Sequence, residues 1–340
     1  MVVPVIPTLA DSVRLTDDDV VILDRRVFPF EHRWVHCATV EEAARAIEEM
    51  VTQSSGPLFV AAAGMVLAAR AARHLDARAA AARLRAAGQR LIATRPTNNH
   101  IRDTVHAIQA VLDDGPVGGD DLVAAISKRA AARTDGYRAR SAALGEHAAR
   151  LLPHGAAVLT HCWADLYLIG TIDAAQRAGK QLTFVCTETR PYLQGARLTA
   201  ATLVEYGYVP TVITDGMVPA ALSDGLASIV LVAADRVTLD GHVVNKVGTL
   251  AAALAAQAFG VPFYVLVEAP DPQAPRIKDV AIERRDGAEV LHVLGQRSAA
   301  GGTIGYYPAF DVTPPALVTR IVTADGDFEP SSIAAHYWAG

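Results

Sequence analysis

The chain has 340 residues, is 51% hydrophobic and 20% charged, and carries a formal net charge of -5. This composition excludes a disordered chain, and the acidic balance argues against nucleic-acid binding, which needs a basic face to neutralise phosphates. The three cysteines, at 37, 162 and 186, give no disulfide framework and no CxxC pair, so neither a metal nor a cofactor is expected, and a reducing cytoplasm is.

The N-terminal stretch MVVPVIPTLADSV has no basic n-region and no apolar core of signal length, so no export signal is expected. The segment VRLTDDDVVILDRRVF reads as short strands around a polar turn. TVEEAARAIEEMV starts a helix, with Thr39 as N-cap and Glu42 completing a capping box. From Ala61 to Gly88 the chain is alanine-rich and helical, with arginines at 70, 73, 78, 83 and 85. Such spacing describes a solvated helix face before it describes an anion site. Residues 99 to 113 and 121 to 151 read as two further helices around the loop DDGPVGGDD.

The pattern then changes. AAVLTHC, LTFVCTE, PTVITD, SIVLVAAD and PFYVLVE are short apolar runs separated by amphipathic segments. Runs of this kind fit strands buried on both faces of a parallel sheet. The uncharged stretch Val247 to Val267 is long enough to span a membrane, but Gly260-Val261-Pro262 interrupts it. It reads as a helix, a glycine stop and a strand, so no membrane partner is expected. The fold class is therefore α/β: a Rossmann-like, doubly wound parallel sheet over residues 126–340, behind a smaller, mainly helical N-terminal domain over residues 1–125.

Ligands of open α/β sheets bind beyond the carboxyl ends of the strands. His161-Cys162, Thr187 to Arg190, Asp215 and Asp235-Arg236 all follow apolar runs. Cys162, near a helix start, has the position of a nucleophile or acid–base group with a lowered pKa, or of an ordinary core thiol. Cys186 lies inside a strand and reads as core; Cys37 has no informative context. His161 reads as a hydrogen-bonded structural residue. Asp235 ends a buried strand, where desolvation would raise its pKa and suit acid–base work; an N-cap or an ion pair with Arg236 is the plainer alternative. Arg190, Gln194 and Arg197 offer groups suited to a sugar or a phosphate. Lys246, in NKVGT, reads as lying at a helix start, where anions are favoured. Arg95, in TRPTN, sits oddly in an apolar-helical neighbourhood. No GxGxxG follows the first buried strand, which leaves a nicotinamide-linked dehydrogenase without support.

Taken together, ATRPT, LTHC, ETRPYLQGARLTA, ITDGM, AADRV, NKVGT and PAFDVTPPAL resemble, in order and spacing, the motifs of the methylthioribose-1-phosphate isomerases. Those enzymes are related to ribose-1,5-bisphosphate isomerase and to regulatory subunits of a translation-initiation guanine-exchange factor. The resemblance runs from LDRRVFP to about Pro330. It implies a metal-free aldose–ketose isomerase, usually a homodimer, acting on a 5-substituted ribose 1-phosphate. It implies Cys162 and Asp235 as the acid–base pair, with Asp235 held protonated in an apolar pocket, and substrate contacts at Arg95, Gln194, Asn245 and Lys246. The alternatives are a relative with a different sugar phosphate and a non-catalytic regulatory protein. Two departures stand out. Gln53-Ser54-Ser55 replaces the Arg-Gly-Ala of the family's phosphate loop, and Trp163-Ala164-Asp165 follows the cysteine in place of the usual small or polar residue and glycine.

Overall fold

A computed structural model describes residues 6–95 and 98–337. The chain forms two compact units: the first is Thr8–Ala139, and the second takes in the chain from Arg140 onward. The division falls inside a helix that begins at Gly119, further along the chain than residue 125.

The first unit opens with a three-stranded antiparallel sheet of β1 (Val13–Leu15), β2 (Val20–Leu23) and β3 (Trp34–Cys37). Helices α1 (Val40–Glu48), α2 (Gly56–Ala72), α3 (Ala77–Ala93) and α4 (Asn99–Gln109) follow. The Thr39–Glu42 capping box is present at the start of α1. The alanine-rich stretch is two helices: it breaks at Arg73 to Leu75, and Asp76 caps α3 by accepting the Ala79 N–H at 2.9 Å. Helix α2 is apolar on every side because it is the central element of this unit and packs against α1, α3 and α4. Arg73, Arg78, Arg83 and Arg85 are exposed, as a solvated face requires. Cys37 is part of this unit's core.

Helix α5 (Gly119–Leu151) leads into the second unit, whose elements are β4 (Ala157–Thr160), α6 (Asp165–Arg177), β5 (Thr183–Thr187), α7 (Ala200–Glu205), β6 (Thr211–Ile213), α8 (Val218–Ser223) and β7 (Ile229–Ala233). There follow β8 (Arg236–Val237), β9 (Val243–Lys246), α9 (Thr249–Phe259), β10 (Phe263–Leu266), β11 (His292–Val293), β12 (Gln296–Arg297), β13 (Phe310–Thr313), β14 (Arg320–Thr323), β15 (Gly326–Phe328) and α10 (Ile333–Tyr337). Seven strands form one sheet in the order β15-β14-β10-β7-β4-β5-β6, parallel except for β15. Counted along the chain within this unit, that is the 3-2-1-4-5-6 order of doubly wound sheets with one antiparallel edge strand added. Its inner strands are apolar because helices cover both faces, whereas β6, expected from PTVITD to be buried, is an edge strand and mostly exposed. Leu159, Val185, Val230, Val232, Val265 and Ile321 form the core under one face, and Cys186 is wholly buried in β5.

A second, three-stranded sheet, β13-β9-β8, stands at the end of β7. The uncharged segment Val247 to Val267 resolves into α9 and β10, with Gly260 ending the helix at a φ of 67°. Among the described residues no helix is long and apolar enough to cross a membrane.

Candidate active site

Strands β4 and β7 are neighbours, and between them the order of the sheet reverses. The crevice past their carboxyl ends is where such sheets place ligands. Cys162 and Asp235 lie just beyond those two ends. The topology thus brings together two residues far apart in sequence.

Cys162 adopts a left-handed backbone with a φ of 67°, as do Asp165 (51°), Thr189 (62°) and Leu193 (59°) around it. Each such residue costs about 1–3 kcal/mol unless its surroundings hold it there, and clusters of them mark functional sites. The restraint at Cys162 is specific. Its N–H donates to Thr189 Oγ1 at 2.9 Å, and its carbonyl accepts from Thr199 Oγ1 at 2.5 Å. Thr189 in turn lies 3.1 Å from the Thr187 hydroxyl, which is 2.7 Å from His161 Nδ1. His161 Nε2 is 3.0 Å from the Val247 carbonyl, which can only accept. The ring therefore carries its hydrogen on Nε2, and burial pushes its pKa down, keeping it neutral. His161 is structural, as expected.

Of the two readings open for the thiol, a lowered pKa is the one its surroundings oppose. Burial pushes Cys162 up to about 11; Lys246 and the Trp163 N–H pull downward, while Asp235 and Asp215 push further up. The start of α6 does not offset the loss of water, so at neutral pH Cys162 is a protonated thiol. Asp235 differs from expectation. It is exposed, so the desolvated carboxylate in an apolar pocket expected after SIVLVAAD is not what the structure has. Strand β7 and Val237 of β8 are buried on either side of it, so the exposure is confined to the connection that carries Asp235.

Lys246 ends β9 and precedes α9 by a turn, so it is not in the first turn of that helix. Its side chain is buried, with Nζ 4.5 Å from the centre of the Phe310 ring. Beside it, Asn245 is buried and its Nδ2 donates to Thr249 Oγ1 at 2.9 Å; that hydroxyl donates to the Lys246 carbonyl at 2.6 Å. Gln194 is buried at the start of a π-helical turn, Gly195–Thr199, a distortion common at functional sites. The glycine of QGARLTA is required there: a Cβ on Gly195 would sit 1.8 Å from the Thr187 carbonyl oxygen.

The two arginines of that segment are occupied with the backbone. Arg190 donates to the carbonyls of His292 and Val290, each at 2.8 Å. Arg197 donates to the Tyr192 carbonyl from Nε at 3.1 Å and from Nη2 at 2.6 Å. Asp215 accepts the N–H groups of Thr189 at 2.8 Å and Arg190 at 2.7 Å, so it fastens the loop after β5. Trp163 and Asp165 are buried, so the tryptophan is part of the interior behind the cysteine.

One residue was missed by sequence reasoning although its motif, PAFDVTP, was in view. Asp311 accepts from the N–H of Gly248 at 2.7 Å and from that of Leu250 at 3.1 Å. It closes the turn between Lys246 and α9, and burial raises its pKa to about 6.

The remaining predicted residues lie in the first unit. Arg95 follows α3 and is partly exposed, with its carbonyl accepting the Asn98 N–H at 2.9 Å; Pro96 and Thr97 of its motif lie outside the described residues. Gln53 is buried, and its carbonyl accepts from Nη1 of the fully buried Arg25 at 2.6 Å. Among the described residues no group of three or more His, Cys, Asp or Glu side chains is arranged to hold a metal ion.

Known proteins share this architecture. Residues 52–330 match the Initiation factor 2 subunit family. The chain is 36% identical over 331 residues to a methylthioribose-1-phosphate isomerase of Heliobacterium modesticaldum, covering 94% of this chain and 96% of the relative. It is 39% identical over 332 residues to one of Anaeromyxobacter dehalogenans, covering 95% and 94%. Among solved structures it is similar to a 5-methylthioribose 1-phosphate isomerase from Pyrococcus horikoshii OT3, with a TM-score of 0.87, 27% identity and coverage of 97% and 96%. It is also similar to the translation initiation factor eIF-2B, subunit delta, from A. fulgidus, with a TM-score of 0.80, 30% identity and coverage of 94% and 96%.

Proposed function

Because the chain belongs to the initiation factor 2 subunit family, and within it to the methylthioribose-1-phosphate isomerases, we propose that it is an aldose–ketose isomerase of sugar 1-phosphates. Its proposed substrate is methylthioribose 1-phosphate or a close 5-substituted ribose 1-phosphate. One observation carries this reading beyond likeness: Cys162 and Asp235 follow adjacent strands at the switch point, close enough for Asp235 and Lys246 to act on the thiol electrostatically.

An aldose 1-phosphate cannot open its ring unaided, because the anomeric oxygen is esterified. The enzyme must protonate the ring oxygen, break its bond to C1, and move one hydrogen from C2 to C1 while the C2 hydroxyl loses its proton. Asp235 protonates the ring oxygen in this scheme and, once ionised, takes up the proton that the C2 hydroxyl releases, with the bound sugar supplying the cover that the exposed carboxyl lacks. Cys162 stands at C2 as a thiol. A protonated thiol cannot take the C2 proton until it has given up its own, so its resting state suits assistance of a hydride shift from C2 to C1. Lys246 holds the phosphate, and Gln194 and Asn245 hydrogen-bond the sugar. The reading includes a homodimer in solution, which light scattering measures directly.

The test is incubation with methylthioribose 1-phosphate, 5-deoxyribose 1-phosphate and ribose 1-phosphate, with detection of the ketose product. Turnover of at least one is expected; no turnover of any would sink the reading. The likeness to the initiation-factor subunit motivates a second reading, a regulatory protein without catalysis. A Cys162→Ser variant that keeps the protein's full cellular effect would favour it.

A further inference from the structure

Tyr307 is buried in the second unit, and its hydroxyl has no hydrogen-bond partner among the described residues. The backbone fixes where it stands. The Tyr307 carbonyl accepts the Arg285 N–H at 3.1 Å, and two residues on, the Ala309 carbonyl accepts the Val247 N–H at 3.2 Å. The chain then enters β13, where Phe310 pairs with Lys246. Tyr307 is thus held just before β13, the strand that pairs with the Asn245–Lys246 end of β9.

Tyr192, Glu289, Arg285 and Cys162 act on the phenol electrostatically, and through Cys162 it is within reach of the candidate site. Tyr192 has a partner, since Arg285 Nη2 donates to its hydroxyl at 2.8 Å. Tyr307 therefore differs from its neighbour in having an unsatisfied group in the same enclosed region. An orphaned buried hydroxyl destabilises a protein, and native structures keep few without a reason. A phenylalanine would fill the same space without that cost.

We propose that the Tyr307 hydroxyl is a substrate-binding donor of this site, hydrogen-bonding the C2 oxygen of the sugar phosphate as that oxygen turns from hydroxyl to carbonyl. The inference rests on the isomerase reading and deepens it. Negative charge gathers on the C2 oxygen as the C2 hydroxyl gives up its proton, before the hydride leaves C2, and a fixed donor in an enclosed site stabilises such charge. Tyr307 gives up no proton in this role: burial pushes its pKa upward, chiefly by desolvation, so it is a donor and not a base.

The experiment compares wild type with Tyr307→Phe in ketose formation and in urea unfolding. The expected result is a split. The variant's kcat falls on the order of 10²-fold, the loss typical of a missing transition-state donor, while KM changes little and the unfolding midpoint rises. An unchanged kcat in an active background overturns the inference. A fall in kcat and unfolding midpoint together also overturns it, because the hydroxyl would then be structural. Wild type that turns over none of the three aldose 1-phosphates is a different failure: it removes the isomerase reading, and this inference with it.

Discussion

The Asp311 carboxylate accepts the Gly248 N–H at 2.7 Å and so fixes the turn that follows Lys246. Its pKa is raised to about 6 from an ordinary 3.8, chiefly because burial penalises the charge. The folded state thus keeps a proton that the unfolded chain releases between about pH 4 and 6. Stability from this group is highest in acid, falls by roughly 3 kcal/mol as pH rises through that window, and is level above it. Activity runs the other way, since the carboxylate is the stronger acceptor for the turn. Asp311→Asn is expected to lack this slope, so that the difference between the wild-type and variant unfolding curves isolates it, and to lose an acid limb near pH 6 in kcat. Identical pH profiles in the two proteins would show that Asp311 does not set them.

The resting thiol at Cys162 has a chemical signature. With its pKa near 11, only about one molecule in 10⁴ carries a thiolate at pH 7. Alkylation by iodoacetamide, followed by peptide mapping to separate Cys37 and Cys186, is expected to be slow at pH 7. It should speed up about tenfold per pH unit without a plateau below pH 10. Lys246→Met removes the cation that pulls the thiol down and should slow the reaction further. A plateau near neutral pH would mean that a thiolate is present after all.

Gly248 has a φ of 107°, and a Cβ there would lie 2.7 Å from Cε1 of His161. Gly248→Ala therefore strains the backbone by about 1–2 kcal/mol and drives the imidazole off the Val247 carbonyl. Because His161 is the first link in the chain that ends at the Cys162 N–H, the variant should lose kcat as well as stability. A loss of stability with kcat intact would show that the hydrogen-bonded chain does not position the thiol.

Much of this site was legible in the sequence because strand ends are legible. AAVLTHC, LTFVCTE, SIVLVAAD and PFYVLVE ended where buried strands end, whereas PTVITD became the exposed edge strand β6; the order of motifs placed Cys162 and Asp235 in the same domain. The missing parts depend on three-dimensional packing. Whether Cys162 is thiol or thiolate is decided by competition between burial and Lys246, and no local pattern reports that balance. Arg190 and Arg197 have the residue type of anion ligands, yet their donors go to backbone carbonyls, two of them about a hundred residues away. Asp235 follows a buried strand, yet it is itself exposed, which the apolar run before it does not report.

Arg190 ties the loop after β5 to the segment carrying Val290 and His292. Hydrogen bonds from a charged donor contribute about 1.5–3 kcal/mol each where well enclosed, and less here because the side chain is partly exposed. Arg190→Ala is expected to leave global unfolding little changed while amide hydrogen exchange in residues 287–297 accelerates at least tenfold. Protection that stays at the wild-type level would mean the segment is held by its other contacts, such as the stack of Arg285 on Tyr192 with 5.4 Å between guanidinium and ring centre.

The altered loop at Gln53 invites the reverse substitution. Restoring a cation by Gln53→Arg would strengthen phosphate binding if the loop holds phosphate as in the family. The structure adds an opposing force. The guanidinium of Arg25 is fully buried and lies 2.6 Å from the Gln53 carbonyl. A second guanidinium within about 4–6 Å would repel it by about 3–4 kcal/mol at an effective dielectric near 20. Gln53→Arg alone should therefore lower the unfolding midpoint, and Arg25→Gln combined with it should recover a large part of the loss. A double-mutant cycle in urea measures that coupling. Additive effects of the two substitutions would show that the charges do not meet. A gain in affinity for methylthioribose 1-phosphate only in the double variant would show that Arg25, and not the missing arginine alone, sets how this loop meets an anion.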